Sequence, residues 1–213
     1  MTDGPTNPIP PGGGSKSLIE RVKDILLTPK TEWGVIDAEP ATVSGLFTGY
    51  VMILAAIGPV ASVIGGVLVG APMSFMIATA AVTYAISLIL VFVNSLIIDG
   101  FAPTFGGTKN NIQATKVAAY IGTPGWLIGI LTIIPQLLPL AVLLGFAALI
   151  YGIYLLYLGL PRLMRVTQDK AVGYIVVVVA CWIVIYWVLL AVVMGIVLTA
   201  LGVGMMGAAA VRY

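Results

Sequence analysis

The chain has 213 residues, 60% of them hydrophobic and 8% charged, with a mean hydropathy of +1.12 and a net charge of +2. Soluble domains carry about 25% charged residues, so this composition excludes a water-soluble globular fold, and so small a net charge gives no basis for nucleic-acid binding. With no histidine and a single cysteine, Cys181, an intrachain disulfide framework, a cysteine-based zinc site and a histidine-based triad are excluded as well.

Met1 to Gly14 is polar and rich in Pro and Gly. It lacks the basic, then apolar, then small-residue order of a secretory signal, and residues 1–14 read as a disordered lead. Residues 15–45 read as a cytoplasmic or interfacial amphipathic helix and the approach to the membrane. Leu18, Ile19, Val22, Ile25 and Leu26 fall on one helical face, with Glu20, Arg21, Lys23 and Asp24 on the other. Ser17 followed by Glu20 is a capping box, in which hydroxyl and carboxylate satisfy unpaired amides of the first turn. Pro29 ends this helix. Its apolar stripe suits either the headgroup region or a protein surface, and Trp33 suits an interfacial anchor.

Three stretches without Asp, Glu, Lys or Arg follow: Pro40 to Ile98, Val117 to Pro161 and Ala171 to Val211. A bilayer core about 30 Å thick needs roughly 20 helical residues. The first stretch therefore divides into Leu46 to Leu68 and Met73 to Ile98, and the second into Val117 to Ile134 and Leu137 to Leu160. The third gives one long span from Ala171 to Leu201, with residues 202–213 as a Gly/Ala-rich tail. The expected fold class is an all-α, polytopic bundle of five transmembrane helices over residues 46–201, preceded by the amphipathic helix. Nine of the 10 basic residues fall on the side of the N-terminal segment and only Arg212 on the other. The positive-inside rule then places the N-terminus in the cytoplasm and the C-terminus in the periplasm.

The predicted spans contain no charged residue, and Asp99 lies just beyond the second. Ion-coupled transport requires ionisable groups within the membrane, and hydrolysis requires a base, so both are disfavoured. The chain is expected not to be an enzyme, and no catalytic, cofactor-binding or metal-binding residue is assigned. Thr79, Thr83, Ser87 and Asn94 supply uncharged polar atoms in the second span. They read as interhelical adhesive, or alternatively as a polar pathway. Gly66 and Gly70, and Gly125 and Gly129, have the four-residue spacing that permits close helix approach within or between subunits. Pro59 and Pro124 predict kinks, which either shape a rigid bundle or line a cavity.

Leu27-Thr28-Pro29-Lys30-Thr31-Glu32-Trp33 resembles the P-x-x-x-W segment of bacterial Yip1-domain proteins, and Ala119-Tyr120-Ile121-Gly122-Thr123-Pro124 resembles the Tyr-to-Pro signature of their third span. Gly100, Gly106 and Gly107 ahead of the Tyr-bearing helix extend the resemblance over roughly Ser15 to Leu201. The eukaryotic relatives' acidic D-L-Y-G-P motif has only Pro29 as a counterpart. What the resemblance implies is an integral protein of the bacterial cytoplasmic (inner) membrane that organises membrane or binds protein rather than catalysing. Its partners are expected to be membrane lipids and a second copy or another membrane protein. The alternative is a small-solute or ion channel or transporter.

Overall fold

The computed structural model describes the backbone of residues 16–210, so the 1–14 lead lies outside the described residues. Among those residues there is no strand, and five helical segments are long and apolar enough to cross a membrane. Ahead of them lies a helical hairpin rather than one helix. Helix α1 (Leu18–Leu27) starts with the expected capping box: Ser17 Oγ accepts from the Glu20 amide at 3.3 Å, and Glu20 Oε2 accepts from the Ser17 amide at 3.0 Å. Pro29 does stop α1, but it also opens helix α2 (Pro29–Ala38). At the first helical position a missing N–H costs nothing and the fixed φ is already helical.

The first span, Val43–Leu68, is interrupted twice. A π-helical turn occupies Phe47–Val51, and the helix breaks at Ala56 before restarting at Ile57. Pro59 explains the break, because it cannot donate to the Ala55 carbonyl. Gly70, at φ +85, turns the chain into the second span. That span runs as α-helix over Met73–Phe101, tightens into a 3₁₀ turn at Ala102–Phe105, and is closed by Gly106 at φ +73.

The third span begins at Asn111, six residues before the expected Val117. Asn110 caps it by accepting from the Gln113 amide at 3.1 Å, while Asp99 accepts from the Asn110 amide at 2.7 Å. Asp99 is thus an anchor for a helix N-terminus, where negative charge is favoured. The helix stops at Gly122, restarts at Thr123 with Pro124 in its first turn, and ends as a 3₁₀ segment over Gly129–Ile133. The greater rise of a 3₁₀ helix, about 2 Å per residue, lengthens this span. The fourth span covers Pro135–Leu163. The fifth belongs to a single unbroken helix, Gln168–Ala210, so residues 202–210 continue the helix rather than leaving it as a tail.

The third span lies at the centre, with Ala114 through Ile121 all buried. Around it close Leu155, Leu156 and Leu160 of the fourth span, Ile98 of the second, Tyr174 and Val178 of the fifth, and Ile25, Trp33 and Ile36 of the hairpin. Phe75, Ile150 and Trp187 face outward, each more than 60% exposed. Such an apolar exterior is what a bilayer solvates, while the backbone satisfies itself within helices.

Candidate functional site

The hairpin docks on the third and fourth spans through one aromatic and ionic cluster. Trp33 is completely buried. Its indole meets Tyr120 edge-on, with centroids 6.1 Å apart, and Tyr50 of the π turn also meets Tyr120, at 4.7 Å. Gly159 of the fourth span makes the room: a Cβ there would lie 2.9 Å from Trp33 Cζ2. Trp33 is therefore not the interfacial anchor its position suggested. It is the plug that seats the hairpin, and its Nε1 has no partner among the described residues.

Arg21 overturns the expected division of α1 into apolar and charged faces. It is only 4% exposed, with its guanidinium 5.8 Å from the Tyr120 ring centroid, within cation–π range. Two carboxylates of α2 and its end, Glu32 and Glu39, ion-pair with it. Lys16 bridges Asp24 at 2.7 Å and Glu32 at 2.6 Å. Meanwhile Ile19, expected on the inner face, points outward, as does Leu27.

Lys116 sits in the same cluster, 3% exposed. Its ammonium donates to the carbonyls of Ile36 at 2.7 Å and Glu39 at 2.6 Å, tying the end of α2 to the third span. Asp37 adds a second tie, accepting from Gln113 at 3.1 Å and pairing with Arg165 at 3.0 Å. Tyr151 of the fourth span donates to the Leu26 carbonyl at 2.7 Å. A cleft of about 550 Å³ lies beside the dock, bordered by Lys16, Arg21, Glu39, Tyr50, Lys116 and Tyr120.

All four residues of the two motifs, Pro29, Trp33, Tyr120 and Pro124, are buried in or beside this dock. Thr123, next to Pro124, exchanges a 2.7 Å hydrogen bond with Tyr50, so the break in the third span meets the π turn of the first. The sequence reading missed Arg21, Glu32, Glu39 and Lys116. An arginine four residues before Ile25 and three after Leu18, on their shared helical face, was the available signal.

The other candidate residues are not brought together. Thr79 and Thr83 are exposed on the outside of the second span, and each donates to its own helix, to Phe75 and Thr79 respectively. Ser87 likewise donates to Tyr84 at 2.8 Å. Their hydroxyl bonds stay within the second span. Ser87 and Asn94 border a separate cavity of about 470 Å³ among the second, third, fourth and fifth spans. The glycines also divide. Gly129 does make a close helix contact, with Gly58, and Gly65 abuts the Thr132 and Ile133 carbonyls. The first and third spans thus meet through Gly58 and Gly65, seven apart, rather than through Gly66 and Gly70. Gly66 faces Met76, Gly70 serves the turn, and Gly125 borders the 470 Å³ cavity.

Chemically the dock satisfies its own charges and presents no nucleophile beside a base; among the described residues no cluster could hold a metal ion. The fold and dock define a class: a polytopic helical membrane protein with its N-terminal hairpin seated on the bundle. The model of the Yip1 domain family matches residues 23–192, and the chain belongs to that family. It is similar to the inner membrane protein YohC of Escherichia coli strain K12, at 29% identity over 173 residues, covering 76% of this chain and 88% of that protein. The protein of the same name from Escherichia coli strain O6:H1 matches to the same extent. No solved structure matches the chain.

Proposed function

We propose that this protein is a non-catalytic membrane-organising component that engages a second copy or another membrane protein through the outer face of its N-terminal hairpin. One observation carries the proposal. The inner face of the hairpin is fully committed to the bundle through Ile25, Trp33 and Ile36, whereas Ile19 and Leu27 on its outer face are 79% and 70% exposed. Covering a side chain of that size contributes about 1.5–3 kcal/mol, enough for two of them to drive a modest association. Supporting the location are the name of the Escherichia coli relatives, inner membrane protein, and the gathering of nine basic residues on the hairpin side. By the positive-inside rule that side is cytoplasmic and the C-terminus periplasmic.

The test is a photoreactive residue placed at Ile19 or Leu27 in living cells, with Val176 on the outside of the fifth span as control. Discrete protein adducts from the hairpin positions alone support the reading. No adduct there, together with solute flux in reconstituted liposomes that Asn94→Leu abolishes, replaces it with transport.

A further inference from the structure

The fifth span leaves the bundle partway along its length. Its inner face is buried at Ala171, Tyr174, Ile175 and Val178, but Trp182 is half-buried and Tyr186 is exposed. The divergence opens the 470 Å³ cavity, walled by apolar side chains such as Leu90, Ile121, Leu149 and Ile185. One end is polar. Trp182 Nε1 donates to Asn94 Oδ1 at 2.9 Å, which occupies the carboxamide oxygen and leaves the nitrogen, with two protons, as the donor that Asn94 can offer.

Size decides what this cavity admits. Its walls on the second, fourth and fifth spans run over Ser87–Asn94, Gly145–Gly152 and Trp182–Leu189, a height of about 11 Å at the helical rise. The volume then corresponds to a slot roughly 9 Å wide between wall atoms, narrower than a helix with its side chains at about 10–12 Å. Water is disfavoured, since an ordered water needs two to four polar partners, and of the polar wall groups Ser87 already donates to Tyr84 and Trp182 to Asn94. Two glycines keep the slot open: a Cβ on Gly125 or Gly145 would meet nothing within 4 Å.

We infer that this slot is a binding site for one acyl chain of a membrane glycerolipid, with the Asn94 carboxamide donating to the ester carbonyl of that chain. Asn94 lies five residues from Asp99 along the second span, about 7.5 Å inside the charged end, at the level where ester carbonyls give way to hydrocarbon. The chain then runs away from the hairpin side, between the diverging fifth span and the glycine-lined fourth. Nothing in this assignment depends on the partner engaged by the hairpin.

The experiment uses the full chain in nanodiscs of phosphatidylethanolamine and phosphatidylglycerol containing a phospholipid with a diazirine-bearing acyl chain. Labelling is mapped by peptide mass spectrometry. The expected pattern is enrichment at Leu90, Leu149 and Ile185 over the outward-facing Phe92 and Ile150, falling at least tenfold in Gly145→Leu, which fills the slot, and severalfold in Asn94→Leu. The wild-type map needs no variant, and Gly125→Leu gives an independent second filling. Equal labelling of slot and outer face, or labelling unchanged in both filled variants, overturns the site. So does protection of the slot accompanied by crosslinks from Ile185 to another polypeptide, which would make it a protein interface.

Discussion

The indole of Trp33 stands edge-on to the ring of Tyr120, 6.1 Å between centroids, and so joins the N-terminal hairpin to the central span. Trp33→Ala therefore empties a completely buried site. Large-to-small changes of this kind cost about 3–5 kcal/mol. The expected result is a hairpin that detaches while the spans remain folded, seen as rapid proteolysis near Thr28 with an unchanged helical content.

Gly159 tests the same contact from the other side. A Cβ there would lie 2.9 Å from Trp33 Cζ2, so Gly159→Val displaces the indole and reproduces the proteolysis of Trp33→Ala. Because both changes break one contact, their effects should not add; the double variant should be close to the worse single one in thermal unfolding.

Arg21 and Glu32 form a buried pair, 4% and 2% exposed. Removing one partner leaves the other with a single counter-charge, Glu39 for Arg21 or Lys16 for Glu32, at a cost below the roughly 3–5 kcal/mol of a wholly unpaired buried charge, whereas replacing both with apolar groups is often far less costly. Arg21→Met and Glu32→Leu should each lower the unfolding midpoint in detergent more than the double variant does. If the double variant is the least stable, the pair is not the coupled unit described.

The Lys16–Asp24 pair gives the hairpin a pH window. The hydrogen bond to Asp24, and next that to Glu32, raise the Lys16 ammonium above its usual 10.5, and the hydrogen bond from Lys16 holds the Asp24 carboxyl below its usual 3.8. The lysine contribution is complete below 10.5 and lost as pH rises through the raised value. The aspartate contribution is present above 3.8 and lost as pH falls through the lowered value. The stability difference between wild type and Lys16→Met should therefore disappear at the alkaline end, and that between wild type and Asp24→Asn at the acid end, with both flat between about pH 5 and pH 9.

The five spans were legible because charge is so costly in hydrocarbon that its absence marks each crossing. The Ser17–Glu20 capping box was legible because it is local, and the Pro29, Trp33, Tyr120 and Pro124 motifs pointed to residues that the fold buries together. What stayed hidden depended on partners distant in sequence. A polarity-based face assignment puts Arg21 outside, because it cannot register that Glu32 and Glu39 return to meet it. Lys116 is also held by groups far off in sequence, the carbonyls of Ile36 and Glu39. Four-residue glycine spacing likewise selected Gly66 and Gly70, whereas the close approach to the third span uses Gly58 and Gly65. Glycine spacing alone does not say which helix arrives.

The Pro29–Ala38 helix is an integral part of the membrane domain, held there by the buried Trp33. Amide hydrogen exchange of the full chain in nanodiscs tests it most directly. Amides of Trp33 to Ala38 should exchange as slowly as those of Ala114 to Ile121 in the third span, and Trp33→Ala should abolish protection in the first group while preserving it in the second. Exchange of Trp33 to Ala38 at the rate of an unstructured peptide in the wild-type protein would contradict it.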